Sequence, residues 1–337
     1  MGITMTGVIS QPQSKFESYP IRLSDEDLEF VKEFLEEVYQ IFEEFEQVYE
    51  TEKWEELKQE ISESEEVRLI PADAIAVSHL SRCEYQAYML RKKHIDRYGD
   101  GYYKVSDSQF SETNYLNQGW SQKTGTWFDR FLKYKLSQTR FSDFVEFDVV
   151  VEEEFQGVLF YSRIDVVLFT PNQKKIGIEI KSRHIHQFDY LQLQFYKLFF
   201  DAVIVFSPYL YRYWKKEALD WKLITQNTKK GQRRGDLMFD DDMNIKIHYR
   251  DEEAESWIKY FEDYAERIKN PDSPVLLNID FCEACDYKEK CKVYWLVQQK
   301  NIKDGLKLFV RKNKVKFSDF EDFDKTLELL NKISYFF

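Results

Sequence analysis

Asp165 lies in one apolar run of the chain, and Glu179-Ile180-Lys181 closes the next. Residues two apart on a strand point to one face, so Glu179 and Lys181 project together. If the preceding strand runs antiparallel beside this one, Asp165 reaches the same spot. Two carboxylates and the carbonyl of Ile180 then form an all-oxygen cradle suited to Mg²⁺ or Mn²⁺. Such an ion neutralises charge developing on a phosphate and lowers the pKa of a bound water. Lys181 can hold that water or the phosphate without displacing the ion. Ile176, Ile178 and Ile180 make the surroundings apolar, where a carboxylate is costly unless it binds something.

An Asp followed by Glu-x-Lys also describes an ordinary strand with a salt bridge. Two further features favour the chemical reading. Gln192 and Tyr196 are four apart, hence on one helical face, just after the Glu-x-Lys strand. Asp129 stands four residues after Gly125 on a helix before the strands, at a spacing that suits an extra metal ligand.

A second set of reactive residues surrounds the first. Cys83 precedes it, and Cys282-x2-Cys285-x5-Cys291 follows, 199 positions beyond Cys83. The spacing leaves a zinc site and a cubane iron–sulfur cluster equally open. Asp286, Lys288, Glu289 and Lys290 make the loop polar, which argues against a trio of buried structural thiols.

The positioning elements follow from pattern. Ser24 with Asp25, Glu26 and Asp27 starts a helix, and Leu28, Val31, Leu35, Val38, Phe42, Phe45 and Tyr49 give it one apolar stripe. This N-terminal acidic helical extension occupies residues 1–70. A first cluster-ligand helix and a Gly/Ser/Asn/Tyr-rich loop fill 71–119. Residues 120–206 read as a helix opening at Gly125, strands at 144–155, 158–169 and 175–181, a helix at 188–200 and a strand at 202–206. An elaboration and a helix occupy 207–270, and the cysteine triplet with a helical tail occupies 271–337.

The net charge of −12 is unevenly placed: residues 25–66 hold 18 Asp and Glu against three Lys, or −15, leaving +3 for the rest. The acidic stretch reads as a solvated face with a stripe packed on the body; the sharper alternative is a partner-docking arm or an acidic gate over a basic groove. Candidate phosphate contacts are Arg91, Lys92, Lys93 and Arg97, then Arg183 and His184, and the run from Lys229 to Arg234. No apolar run is long enough for a membrane span and the N-terminus lacks the pattern of a signal peptide, so the expected location is cytoplasmic. No G-x4-G-K-[ST] loop is present, so no helicase motor is expected in this chain.

The series Gly125-x3-Asp129, Asp165, Glu179-x-Lys181 and Gln192-x3-Tyr196 resembles the motifs of RecB-type PD-(D/E)XK nucleases, in which His is usual where Asp129 stands. The one-plus-three cysteine layout resembles the iron–sulfur exonucleases of that group, most of all the CRISPR-associated Cas-four type. The resemblance implies an α/β (α+β mixed) restriction-endonuclease-like core with a central mixed sheet flanked by helices, plus an iron–sulfur subdomain. It implies a Mg/Mn-dependent DNA exonuclease on single-stranded or frayed ends, with Asp165, Glu179, Lys181, Gln192 and Tyr196 catalytic. Asp129, Asp165, Glu179 and Ile180 would hold the divalent ion, and Cys83, Cys282, Cys285 and Cys291 a [4Fe–4S] cluster acting as a structural clasp. A role in CRISPR spacer acquisition or in recombination and repair goes with it, with acquisition proteins meeting the acidic arm. The alternative is a weakly active or inactive cluster-containing DNA-end-binding subunit of a larger complex; a zinc-bound scaffold is a third.

Overall fold

The computed structural model describes residues 8–10, 22–49, 51–61, 67–106, 120–181, 185, 189–216, 237–240, 242, 244–250 and 253–270. The chain divides into two compact units, each built from three segments. The first comprises Met1–Pro71, Tyr102–Glu152 and Ser162–Ala254; the second comprises Ala72–Gly101, Glu153–Tyr161 and Glu255–Phe337.

A mixed sheet organises the first unit. Its order is β1 (Val8–Ser10), β5 (Val145–Phe155), β6 (Val158–Phe169), β7 (Lys175–Ile180), β8 (Ala202–Phe206) and β9 (His248–Tyr249). β1 runs parallel to β5, β6 antiparallel to β7, β7 parallel to β8, and β8 antiparallel to β9. All five residues of β8 and the four central residues of β7 are buried. Continuous apolar runs of this kind are the mark of strands covered on both faces. Gly177 lies in the middle: a Cβ there would stand 2.6 Å from Ile164 Cδ1 and 2.7 Å from Phe200 Cδ2, so only glycine admits both neighbours.

The acidic helix α1 (Asp25–Val48) belongs to this unit. Ser24 caps it, its Oγ accepting the Asp27 N–H at 3.1 Å. Phe34, Val38, Phe42 and Phe45 are almost wholly buried. The rings of Phe34, Phe42 and Phe45 meet Phe128, Phe131 and Phe141 on and beyond α5 (Trp120–Leu136). The acids alongside bind cations of the same unit. Glu33 meets Arg140 at 2.5 Å and Glu44 meets Lys135 at 2.6 Å. Glu36 pairs with Lys215 and Glu46 with Arg212, both on α7 (Pro208–Lys215). Val31, Leu35, Val38, Phe42 and Phe45 of the apolar stripe are core, while Leu28 and Tyr49 at its ends are half-buried. α2 (Glu52–Ile61) follows and buries Trp54 and Ile61.

Two local expectations are corrected. Tyr102–Ser106, read as part of a loop, is a strand (β4) pairing antiparallel with β2 (Val67–Pro71). The pairing joins segments 30 residues apart, for which no local pattern exists. Helix α5 begins at Trp120 rather than at Gly125, which lies inside it.

In the second unit, β3 (Ile75–Ala76) pairs parallel with the start of β6, Ile75 opposite Phe160. α3 (Val77–Arg82) and α4 (Glu84–Tyr98) follow, and α8 (Glu253–Lys269) completes the described part. The β5–β6 turn, Gln156-Gly157, has positive φ at both positions, +50° and +71°, as a two-residue hairpin loop requires. Among the described residues, no helix is long and apolar enough to cross a membrane.

Candidate active site

β7 carries the central groups. Its paired register with β6 runs from Phe169↔Lys175 to Val166↔Ile178. One residue beyond it, Asp165 turns its carboxylate onto the neighbouring strand, and Oδ2 accepts the Ile180 N–H at 2.7 Å. Asp165 and Glu179 are thereby brought together. Burial and the nearby Glu179 charge, with Asp129 a further cause, hold the Asp165 carboxyl well above the usual carboxylate range. Glu179 is only 6% exposed, and its Oε2 has no hydrogen-bond partner.

Lys181 stands beside them. Its Nζ lies 2.6 Å from Glu179 Oε1 and 3.4 Å from Asp189 Oδ1, while its N–H donates to the Phe206 carbonyl at 2.8 Å. Burial works against the ammonium, but Asp189, Glu179 and Asp165 outweigh it and raise its pKa. Lys181 therefore stays charged, and acts as a donor rather than a proton acceptor. Asp189 is missed by sequence reasoning; it opens α6 (Asp189–Tyr196) and is buried, and the available signal was an acid at a helix start.

Gln192 and Tyr196 share a face of α6 as expected. Tyr196 is fully buried and donates to the Arg163 carbonyl at 2.7 Å. Its Oη accepts from Ser162 Oγ at 2.9 Å and from Gln192 Nε2 at 3.4 Å. Burial, reinforced by the Glu179 charge, pushes the phenol well above its ordinary pKa. Tyr196 is neutral at any working pH, and it braces β6 beside the carboxylates.

Asp129 is held differently. Lys133, one helical turn on, lies 2.6 Å from Asp129 Oδ2 and 2.6 Å from Asp148 Oδ2. Asp148 sits in β5 at φ +53°, and its Oδ1 is 3.5 Å from Arg163 Nε. Among the described residues, no group of three or more His, Cys, Asp or Glu side chains converges tightly enough to hold an ion. Two carboxylates meet, and the third is engaged by a lysine.

The donor set nonetheless fits a hard divalent cation. Asp165 and Glu179 are oxygen donors pressed together at an energetic cost, and Glu179 Oε2 is a buried oxygen in want of a positive partner. The candidate phosphate contacts are less well placed: Arg91 Nε donates to the Asp73 carbonyl at 2.8 Å. Arg183, His184 and the run 229–234 lie outside the described residues.

Cys83 occupies the N-cap position of α4, half-buried, with no capping bond from its side chain. Cys282, Cys285 and Cys291 lie outside the described residues. The residue after Cys83 is tied firmly: Glu84, 5% exposed, pairs with Arg267 at 2.8 Å, and the Tyr264 hydroxyl donates to the Glu84 carbonyl at 3.0 Å.

Asp165, Glu179 and Lys181 thus stand together on or just past neighbouring strands inside a mixed sheet. The PD-(D/E)XK nuclease superfamily matches residues 91–292, more than half of the chain, and the chain belongs to that superfamily. Its members are usually nucleases and use divalent metals. No curated protein matches the chain. One solved structure that does, titled "Crystal structure of SSO0001", is 16% identical over 79% of this chain and 97% of that one, with a TM-score of 0.36.

Proposed function

We propose that the protein is a metal-dependent deoxyribonuclease, an exonuclease acting on single-stranded or frayed DNA ends. The observation that carries this reading is the meeting of half-buried Asp165 with buried Glu179, one oxygen of Glu179 being left without a hydrogen bond. Asp165, Glu179 and the Ile180 carbonyl would hold Mg²⁺ or Mn²⁺. When bound, that ion supplies Lewis acidity and lowers the pKa of its water. Lys181, kept charged by its acid neighbours, orients the attacking water or the phosphate. Tyr196, Ser162 and Gln192 position β6, and through it the Asp165 carboxylate.

The test is cleavage of end-labelled single-stranded DNA in Mn²⁺ by wild type and by Glu179→Gln. Loss of about 100-fold or more in rate is expected from the substitution. Equal cutting by both proteins would overturn the assignment.

Cys83 with Cys282, Cys285 and Cys291 is proposed to hold a [4Fe–4S] cluster. A soft thiolate at a helix start suits iron, since the helix N-terminus favours the ionised form. The Glu84–Arg267 and Glu84–Tyr264 ties support a clasp role, because they fasten Cys83 to the helix that leads toward the triplet. Closing a loop of about 200 residues removes on the order of 5 kcal/mol of unfolded-state entropy, by analogy with a disulfide. Anaerobically purified protein should be coloured and contain iron, and Cys285→Ala should be colourless and less stable. Zinc in place of iron would sink the cluster while leaving the clasp.

Processing of DNA ends in CRISPR spacer acquisition, or in recombination and repair, rests on the sequence resemblance. A docking role for α1 toward acquisition proteins rests there too. A second reading, a cluster-containing DNA-end-binding subunit with a weak site, is favoured by one observation: Asp129 stands where His is usual and is bound by Lys133. DNA binding without cutting by the metal-loaded wild type would support it.

A further inference from the structure

Asp129, Lys133 and Asp148 form a bridge that the nuclease reading leaves unused. Lys133 Nζ touches one oxygen of each acid at 2.6 Å, Asp148 is buried, and Arg163 lies against its other oxygen at 3.5 Å. Asp129 is close enough for its charge to raise the Asp165 pKa, yet it belongs to no three-carboxylate cluster among the described residues. Five acids stand here (Asp129, Asp148, Asp165, Glu179 and Asp189) against three cations (Lys133, Arg163 and Lys181). Lys133 pairs with Asp129 and Asp148, while Lys181 pairs with Glu179 and Asp189.

We propose that Lys133 is a positioning residue that decides which carboxylates are available to the divalent ion. By bridging Asp129 and Asp148, its ammonium retains Asp129, so the ion is held by Asp165 and Glu179 without a third acid. Lys133 thus lowers the ion affinity of the site, and its removal frees Asp129 to become a ligand. The proposal rests on the nuclease reading and concerns the same site. Its chemistry is plain competition: one carboxylate oxygen at hydrogen-bond distance from an ammonium would have to leave it to reach a cation.

The experiment is calorimetric titration of the full-length protein with Mn²⁺ alone, without DNA. Asp129→Asn in the wild-type background should change affinity by less than about threefold, since Asp129 is not a ligand there. Lys133→Met should tighten Mn²⁺ binding by about tenfold or more, the scale on which ligand-shell changes act. Adding Asp129→Asn to Lys133→Met should erase that gain, giving a coupling the single variants do not predict. A larger loss in Asp129→Asn alone overturns the proposal, and this arm stands even if Lys133→Met does not fold. A gain that is absent, or that survives in the double variant, overturns it as well. Glu179→Gln is the separate control: if it leaves Mn²⁺ binding intact, the ion site itself is misassigned, whereas failure of the Lys133 arms alone leaves that site standing.

Discussion

The Asp165 carboxylate accepts the backbone N–H of Ile180 at 2.7 Å, just past the last paired residues of β6 and β7. A side chain therefore does there what a carbonyl does elsewhere in the sheet. One oxygen fixes the strand, and the carboxylate as a whole is drawn in beside Glu179.

That arrangement makes metal-free stability depend on pH. The folded-state pKa of Asp165 is raised, so its contribution is fully present below the unfolded value of about 4 and is lost as pH rises through the elevated folded value. Asp165→Asn keeps an oxygen for Ile180 and removes the ionisation. In chelator, the variant's melting temperature should match wild type at low pH and exceed it increasingly as pH rises. A constant gap across the range would refute the link to this carboxyl.

Tyr196→Phe should destabilise by about 1–3 kcal/mol, because the Arg163 carbonyl and the buried Ser162 hydroxyl lose their shared partner. Since the phenol stays neutral, the shape of the pH–rate profile should not change. A lost alkaline limb in the variant would instead make Tyr196 a titrating group of the reaction.

The apolar stripe of α1 and its acids should differ sharply in worth. Phe45→Ala empties a wholly buried position ringed by Trp54, Phe128 and Phe131 and should cost about 3–5 kcal/mol. Glu33→Gln breaks an exposed pair with Arg140 and should cost less than about 1 kcal/mol. Urea midpoints measure both. If the two variants were equally stable, α1 would be a detachable arm.

Gly177→Ala should cost about 1–3 kcal/mol by overpacking against Phe200 and Ile164. Thermal unfolding is the measurement, and an unchanged midpoint would mean the ring moves aside freely.

Much of the frame was legible in the sequence because it is local. A β-rich run marked β6 and a continuous apolar run marked β8 at their observed bounds, and Ser24 with three following acids marked the start of α1. The approach of Asp165 to Glu179 was legible too, given antiparallel neighbours. What stayed hidden depends on distant segments meeting. Asp148 reads as an ordinary polar residue of a strand, and nothing nearby announces its positive φ or its lysine partner 15 residues back. The pairing of Val67–Pro71 with Tyr102–Ser106 is likewise a matter of tertiary assembly. The start of α7 at Ser207-Pro208 is missed by the reading of 208–250 as an elaboration, although a serine followed by proline is a helix-start signal.

β7 is bonded on both sides, to β6 and to β8, and the lysine at its end donates its own amide to Phe206. The reactive groups therefore ride on backbone that opens only when the domain does, and its amides should be among the slowest to exchange with deuterium. On the proposed reading, such a strand leaves its carboxylates little room to shift, and any tuning of the site falls to side chains arriving from the helices, such as Asp129, Lys133 and Asp189.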